Sequence, residues 1–252
     1  MGNVVIIPVH NQLQHLIKCV ESVISKTDNL NLIIVDDGSE QETSDWIIDN
    51  EQSLGYVVIR HEQAMGFSKS CNDGIDYAMA NYDFSCLCLL NSDTEIITDN
   101  WFTKVSDFFE TDDKIGVAGV MSDNALAQTV RNKKLYLSKI DSKPTVYSYL
   151  IHGFCYFIGR SLIMEIGKLD EVVFPHYGSE DDYSLKSISE GFINLLVGSV
   201  FVHHVNNASY TEKVRAKFIL HTVPDLKNRW TSSFVDNCGT ASVNAANYIN
   251  NK

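Results

Sequence analysis

An aspartate at the end of an apolar run is the first residue in this chain whose position suggests chemistry. Residues 86–90, Cys-Leu-Cys-Leu-Leu, have the unbroken apolar character of a buried strand, and the run stops at Asn91-Ser92-Asp93-Thr94-Glu95. In an α/β protein the C-terminal ends of strands are where ligands bind. A carboxylate there is a hard oxygen ligand, suited to Mg²⁺ or Mn²⁺ holding a diphosphate. A second acidic cluster, Glu180-Asp181-Asp182, lies far along the chain and offers a general base. One carboxylate for a metal and one for a proton is the minimum set for moving a group from an activated phosphate ester.

Those carboxylates need elements to position them. The first half of the chain alternates between two periods. Strand patterns are expected over 4–9, 32–35, 56–59 and 86–90, and helical patterns over 13–25, 43–51 and 68–81. The first helix has Leu13, Leu16, Ile17, Val20 and Ile24 on one face. Strands alternating with helices predict a mainly parallel central sheet flanked by helices. Right-handed crossovers would then bring Asp36, Asp37, Asn91 and Asp93 to one edge. Further on, Asp99 is expected to cap a helix over 101–110, and 115–121 reads as a strand. Residues 122–143 are polar and basic, an irregular excursion. A strand over 147–158, short helices over 160–166 and 181–190, a strand over 193–202 and a helix over 211–222 follow. The stretch after Trp230 is rich in Asn, Ser and Ala and is expected to be a peripheral tail, so the division is one domain over 1–230 and a polar tail over 231–252.

Composition narrows the class. A hydrophobic content of 44% and a charged content of 21% are ordinary for a soluble globular protein. The formal net charge of −12 argues against non-specific binding to nucleic acid or anionic lipid. The N-terminus has no basic start or cleavage site before its first strand, and no apolar run is long enough for a transmembrane helix. The six cysteines include no C-x-x-C pair and read as small buried residues in a reducing compartment. The expectation is a cytoplasmic protein.

Three further segments are weak singly. Pro8-Val9-His10-Asn11 ends the first strand, Asp36-Asp37-Gly38-Ser39 is a tight turn after the second, and Gly66-Phe67-Ser68-Lys69-Ser70-Cys71-Asn72 opens a helix. Helix N-termini attract phosphate through free N–H groups. Neither a Walker loop nor a G-x-G-x-x-G fingerprint is present.

In order, these segments resemble the family 2 glycosyltransferases, enzymes of the GT-A fold. Members show P-x-x-N, then D-D-G-S, a G-F-x-x-x-x-N helix start, an N-x-D-T-E form of the D-x-D motif and a late E-D. This chain supplies Pro8…Asn11, Asp36–Ser39, Gly66-Phe67…Asn72, Asn91–Glu95 and Glu180-Asp181, and Gly167-Lys168-Leu169-Asp170-Glu171 resembles the family's G-x-F-D-E. The resemblance spans roughly residues 3–230, and it is specific because short motifs co-occur in order.

The resemblance implies a nucleoside diphosphate sugar donor, an inverting mechanism and a Mn²⁺ or Mg²⁺ cofactor. It places Pro8, His10, Asn11 and Asp37 at the base and ribose, with Gly66 and Asn72 near the ribose and diphosphate. Asn91 and Ser92 lead into Asp93, which would hold the metal. Asn91 departs from the acidic first position of D-x-D and leaves Asp93 as the one certain carboxylate. A late histidine can ligate the metal in related enzymes. His203 and His204 are both open to that role, with His203 preferred. Asp181 is assigned as the base, with Glu180 or Asp182 as alternatives because three acids in a row blur the register. Arg131 and Lys133 or Lys134 could steer an anionic donor, and Trp101, Tyr177 and Trp230 could stack on a sugar, although a solvated loop and core packing are the better explanations of them. A UDP-sugar is the first expectation, and the N-x-D-T-E form also resembles relatives using dTDP-sugars. The acceptor class is open between a glycan, a lipid-linked saccharide and a protein. A sugar nucleotidyltransferase would bring a Gly-rich basic N-terminal loop, which is absent. A non-catalytic sugar-nucleotide binder is the other alternative, and intact Asp93 and Asp181 argue against it.

Overall fold

The computed structural model describes residues 1–205 and 212–252, with side chains described for 1–205, 220 and 222–252. Its first half is built as the apolar periodicity requires. Strands β1 (Asn3–Val9), β2 (Leu30–Asp36), β3 (Val57–Arg60) and β4 (Cys86–Leu90) alternate with helices α1 (Leu13–Lys26), α2 (Gln41–Leu54) and α3 (Phe67–Asn81). Then come β5 (Thr94–Ile96), α4 (Trp101–Thr111), β6 (Ile115–Ser122), the short α5 (Lys133–Leu137), β7 (Thr145–Tyr147), β8 (Cys155–Gly159), α6 (Arg160–Ile166), α7 (Ser179–Ser189), β9 (Ile193–His204), α8 (Glu212–Trp230) and α9 (Ser232–Asn251).

Among the described residues the strands form one nine-stranded sheet, ordered β3-β2-β1-β4-β8-β6-β9-β5, with β7 also on β9. β1 lies parallel to both β2 and β4, so Val9 pairs with Asp36 at the edge where β4 also ends. Strand alternation divides the core. Val5, Ile7 and Val9 of β1 pack with α1 and α4 on one face, and Val4 and Ile6 pack with α3 and α7 on the other. Gly74 of α3 makes that second contact close, since a Cβ there would sit 2.4 Å from Ile6 Cγ2.

The sheet is mixed rather than mainly parallel. β8 inserts antiparallel between β4 and β6, because the chain returns to the sheet through 148–154 at the ligand edge and runs back from it. That break divides the single strand expected over 147–158 into β7 and β8. The three-residue β5 is too short to show a period. It pairs antiparallel with β9, Thr94 against His204 and Glu95 against His203. Asp99 does not cap α4. Its carboxylate faces Lys26, and Asn100, in the left-handed region at φ 53°, precedes the helix with no side-chain cap. α8 includes most of the expected 211–222 helix, and Thr211 lies outside the described residues.

The largest departure is at the C-terminus. The stretch expected as a peripheral tail is the helix α9, which seats Ala246 and Ile249 in the core. It also ties down the 122–150 excursion. Asn247 Oδ1 accepts from Arg131 Nη2 at 2.6 Å, Asn250 donates to the Thr129 carbonyl at 3.0 Å, and Ser242 Oγ accepts from the Leu150 N–H at 2.8 Å. Composition hid this because the buried stripe is made of Cys238, Ser242, Ala246 and Ile249, only one of them large. Ile249 is fully buried, so Ile249→Ala should cost about 2–5 kcal/mol of stability in a urea titration, and an unchanged midpoint would show that α9 is not seated.

Candidate active site

The turn after β2 is held from inside. Asp36 is buried, with Oδ1 accepting from the Ser39 N–H at 2.9 Å and Oδ2 facing the Arg60 guanidinium. Asp37 Oδ1 accepts from the Met65 N–H at 2.7 Å, and Oδ2 accepts from the Gly66 N–H at 2.9 Å. His61 Nδ1 lies 2.8 Å from Oδ1. Burial raises the Asp37 pKa, but the hydrogen bonds from His61, Met65 and Gly66 outweigh it and hold the carboxyl below its ordinary value. Gly38, at φ +67°, sits with its missing Cβ 2.6 Å from the Gln63 carbonyl carbon, so only glycine fits between the two loops. Asp37, expected to read the nucleotide, therefore spends its carboxylate on the 61–66 loop.

The neighbouring motif residues also position backbone. His10 Nδ1 donates to the Asp37 carbonyl at 2.8 Å. Asn11 Oδ1 accepts from the Glu40 N–H at 2.7 Å, and the Asn11 N–H donates to Ser39 Oγ at 2.8 Å. Pro8 is buried in β1 just past the end of the β4 ladder, where its missing N–H breaks no pairing with that strand.

Asn72 is a clear correction. It is buried, Oδ1 accepts from the Leu169 N–H at 3.1 Å, and Nδ2 donates to the Leu169 carbonyl at 2.9 Å and to Glu171 Oε2 at 2.7 Å. Its amide brackets the Gly167–Glu171 segment instead of presenting itself to a ribose or diphosphate. Gly66 is placed against the loop beyond that segment, with its missing Cβ 2.9 Å from the Pro175 carbonyl.

The 91–95 motif turns back on itself. The Asn91 carbonyl accepts from Thr94 Oγ1 at 2.7 Å, and the Asn91 N–H donates to the Phe154 carbonyl at 2.9 Å. Ser92 and Asp93 are buried. Because β5 pairs with β9, Asp93 lies against the end of β9, where its carbonyl accepts from the Val205 N–H at 3.0 Å. His204 Nε2 lies 3.3 Å from Asp93 Oδ1. The other ring nitrogen, Nδ1, lies 2.9 Å from the Asn124 carbonyl, which only accepts. Nδ1 is therefore a donor, and Nε2 is the ring nitrogen that faces the carboxylate. A ring nitrogen and a carboxylate oxygen facing each other suit a divalent cation between them, with the imidazole oriented by its second nitrogen.

His203, preferred in the sequence, points away. Its Nδ1 lies 2.7 Å from Asp123 Oδ2, consistent with neighbouring strand residues facing opposite sides. Asp123 also takes Lys133 Nζ at 2.9 Å. Among the described residues no group of three or more His, Cys, Asp or Glu side chains is arranged for a metal.

The acidic cluster opens α7. Asp182, fully buried, accepts from Trp230 Nε1 at 2.7 Å and from Arg229 Nη1 at 2.8 Å, and pairs with Lys186 Nζ at 2.8 Å. This resolves the register of the acids, since Asp182 is committed to structure. Asp181 Oδ1 is sealed from solvent and has no hydrogen-bond partner among the described residues. Burial, then the charges of Glu180 and Asp182, push the Asp181 pKa up to about 8. Burial also raises Glu180, against the opposing pull of N–H groups at the helix start.

A short segment missed by sequence reasoning joins these clusters. A Cβ on Gly153 would lie 3.3 Å from the Glu180 carboxylate carbon. The Phe154 ring stacks on His204, with centroids 5.1 Å apart and planes at 17°. The His152 N–H donates to Gln128 Oε1 at 2.7 Å, and burial with the His204 charge lowers the His152 pKa to about 4. Tyr156, next on β8, donates to the Glu180 carbonyl at 3.0 Å. The available signal was Gly153, because a glycine inside a strand pattern marks a close approach. The aromatics divide, with Trp101 fully buried against Phe102 and Phe157 and Trp230 anchoring Asp182.

Residues 4–166, well over half of the 252, match the family description "Glycosyl transferase family 2". The chain belongs to glycosyl transferase family 2. It is also similar in fold to a GalNAc-T7 solved with UDP, GalNAc and Mn²⁺, at TM-score 0.68 and 17% identity over 93% of this chain and 49% of that one. A mannosyltransferase, PcManGT from Pyrobaculum calidifontis, solved with GDP-Man and Mn²⁺, matches at TM-score 0.66 and 13% identity over 98% of this chain and 69% of that one. The chain thus spans about half the length of the first of these neighbours, and no curated protein matches its sequence. Among the described residues no helix is long and apolar enough to cross a membrane.

The close approach at Gly153 is testable. Gly153→Ala must push the Glu180 carboxylate aside by a few tenths of an ångström, so turnover should fall roughly tenfold while the melting temperature stays within a degree or two. Unchanged turnover would detach the 152–154 segment from the site.

Proposed function

We propose that this chain is a divalent-metal-dependent, inverting glycosyltransferase, moving a sugar from a nucleoside diphosphate sugar to an acceptor hydroxyl with Asp181 as the general base. The observation that carries the reading is the sealed, unpartnered Asp181 Oδ1. A hydroxyl is a poor nucleophile, and a carboxylate whose pKa is raised towards the working pH is a stronger proton acceptor than an ordinary one. The charge of Glu180 beside it adds to that rise, and Asp182 fixes the helix that presents both.

Asp93 and His204 are the proposed metal ligands, one oxygen and one nitrogen, a donor set that suits Mn²⁺ or Mg²⁺ completed by diphosphate oxygens and water. When bound, the cation would neutralise charge developing on the leaving diphosphate. His203 is not proposed. The chain's own residues do the rest: Phe154 and the Asn124 carbonyl orient the His204 ring, the Asn91 turn holds Asp93 at the end of β5, and Asp181 takes the acceptor proton. A UDP-sugar is the donor to test first, and GDP-mannose is second because one neighbour carries it. Glycan, lipid-linked and protein acceptors remain the proposed acceptor classes.

Calorimetric titration with UDP-glucose and GDP-mannose, with Mn²⁺ and then EDTA, tests donor binding directly. Metal-dependent binding is expected, and binding of neither would overturn the reading. For the metal, His204→Ala should weaken Mn²⁺ binding at least about tenfold while His203→Ala leaves it unchanged. The reverse pattern would return the role to His203.

For the base, Asp181→Asn should lower turnover by ~10²–10⁴ with donor affinity kept. The wild-type rate should rise with pH through the region near 8 as Asp181 loses its proton. The same group sets a stability trend. An acid raised on folding stabilises the fold below its ordinary range, and that contribution is lost as pH climbs from there towards about 8. Asp181→Asn should therefore melt higher than wild type at pH 8 while being nearly inactive. A variant that is inactive and also less stable at pH 8 would contradict the assignment.

A further inference from the structure

His61 lies in no motif of the chain, yet it is the only described side chain joining the Asp37 turn to α3. Its Nδ1 is 2.8 Å from Asp37 Oδ1, and its Nε2 is 2.9 Å from Asp73 Oδ2 on α3. Its backbone N–H donates to the Asp36 carbonyl at 2.9 Å, which fixes the ring's root at the end of β3. The side chain is 11% exposed. Carboxylates only accept hydrogen bonds, so two short contacts from one ring need both nitrogens protonated. A neutral ring would aim a lone pair at one carboxylate across less than 3 Å.

The surrounding charges balance for the imidazolium. Facing the ring are Asp37 from the β2 turn and Asp73 from α3. Lys69, one helical turn earlier on α3, pairs with Asp73. Glu62 and Lys69 border the adjoining cleft of about 490 Å³, with Gln63 and Met65. The Arg60–Asp36 pair closes the other side of the turn. His61 and Lys69 thus face the two carboxylates Asp37 and Asp73.

Asp37 passes the constraint on. The same carboxylate that faces His61 accepts from the Met65 and Gly66 N–H groups, and Gly66 is the hinge between the 61–66 loop and α3. We propose that His61, as an imidazolium bridging Asp37 and Asp73, is a positioning residue that sets the 61–66 loop and through it the donor nucleotide pocket. This rests on the donor-site reading above only in its last step.

Asparagine and glutamine separate the two ring contacts. His61→Asn places an amide N–H where Nδ1 stood and keeps the Asp37 bond. His61→Gln places one where Nε2 stood and keeps only the Asp73 bond. The expected result is that hydrogen exchange at the Met65 and Gly66 amides stays slow in His61→Asn and speeds up roughly tenfold in His61→Gln. Binding of UDP, GDP and dTDP with Mn²⁺ should follow the same order, wild type and Asn ahead of Gln by about tenfold.

Equal exchange in the two variants would overturn the proposal. If either variant fails to fold, the wild-type protein still decides it. The ¹⁵N resonances of the His61 ring at pH 7 should report two protonated nitrogens, and one protonated nitrogen would overturn the bridge. Exchange that follows the predicted order while wild type binds none of the nucleotides would sink the donor-site reading and the last step with it, leaving the His61 bridge standing.

Discussion

A carboxylate oxygen held out of water with no hydrogen-bond partner is a liability, and much of this fold is arranged around keeping one, Asp181 Oδ1. Asp181 opens α7 beside two other acids, and like charges in one turn would ordinarily splay the helix start or protonate together. The structure prevents that by spending Asp182. Arg229, Trp230 and Lys186 meet its two oxygens, so the most buried of the acids is fully compensated. Removing one partner of such a pair typically costs about 3–5 kcal/mol, because the remaining charge stays buried. Two of the anchors come from the end of α8. The end of α8 is thus part of what fixes the proposed base on α7, even though nothing in its composition points to a site.

The second constraint is the antiparallel entry of β8. A sheet continuing in parallel would have needed another crossover helix at this point. Instead the chain arrives from the ligand edge, and its 152–154 segment passes between the acidic turn of α7 and the end of β9. One backbone segment therefore sets the separation between Glu180 and His204. It does so by the absence of a side chain at Gly153 and the presence of a large flat one at Phe154. The proposed metal ligands depend on a similarly small feature, since the three residues of β5 are what bring Asp93 beside His204.

These features divide what the sequence made legible from what it did not. The α/β alternation, the strand ends and the order of the motifs were readable because periodic burial and strand-end carboxylates leave marks in a single chain. Asp93 stands just past such a strand end, whereas Glu180 and Asp181 stood out as an acidic run and open α7. That His204 rather than His203 lies beside Asp93 was not readable, because it depends on the pairing of β5 with β9, and three residues carry no period. Asp37 and Asn72 were read as facing a ligand, whereas their polar atoms are taken up by the 61–66 loop and the 167–171 segment. A motif residue marks where the site lies without saying whether its side chain faces the ligand or the scaffold. α9 was missed because small residues form its buried stripe.

The central claim is that Asp181 removes a proton from an acceptor attacking opposite the leaving diphosphate, which fixes the stereochemistry. The direct measurement is ¹H NMR of the sugar first released from an α-linked donor such as UDP-glucose, with Mn²⁺ present and water in place of the acceptor. The account predicts that the β anomer of glucose appears first and the α anomer grows in only by mutarotation. An α anomer formed first would mean retention, and would contradict the role given to Asp181.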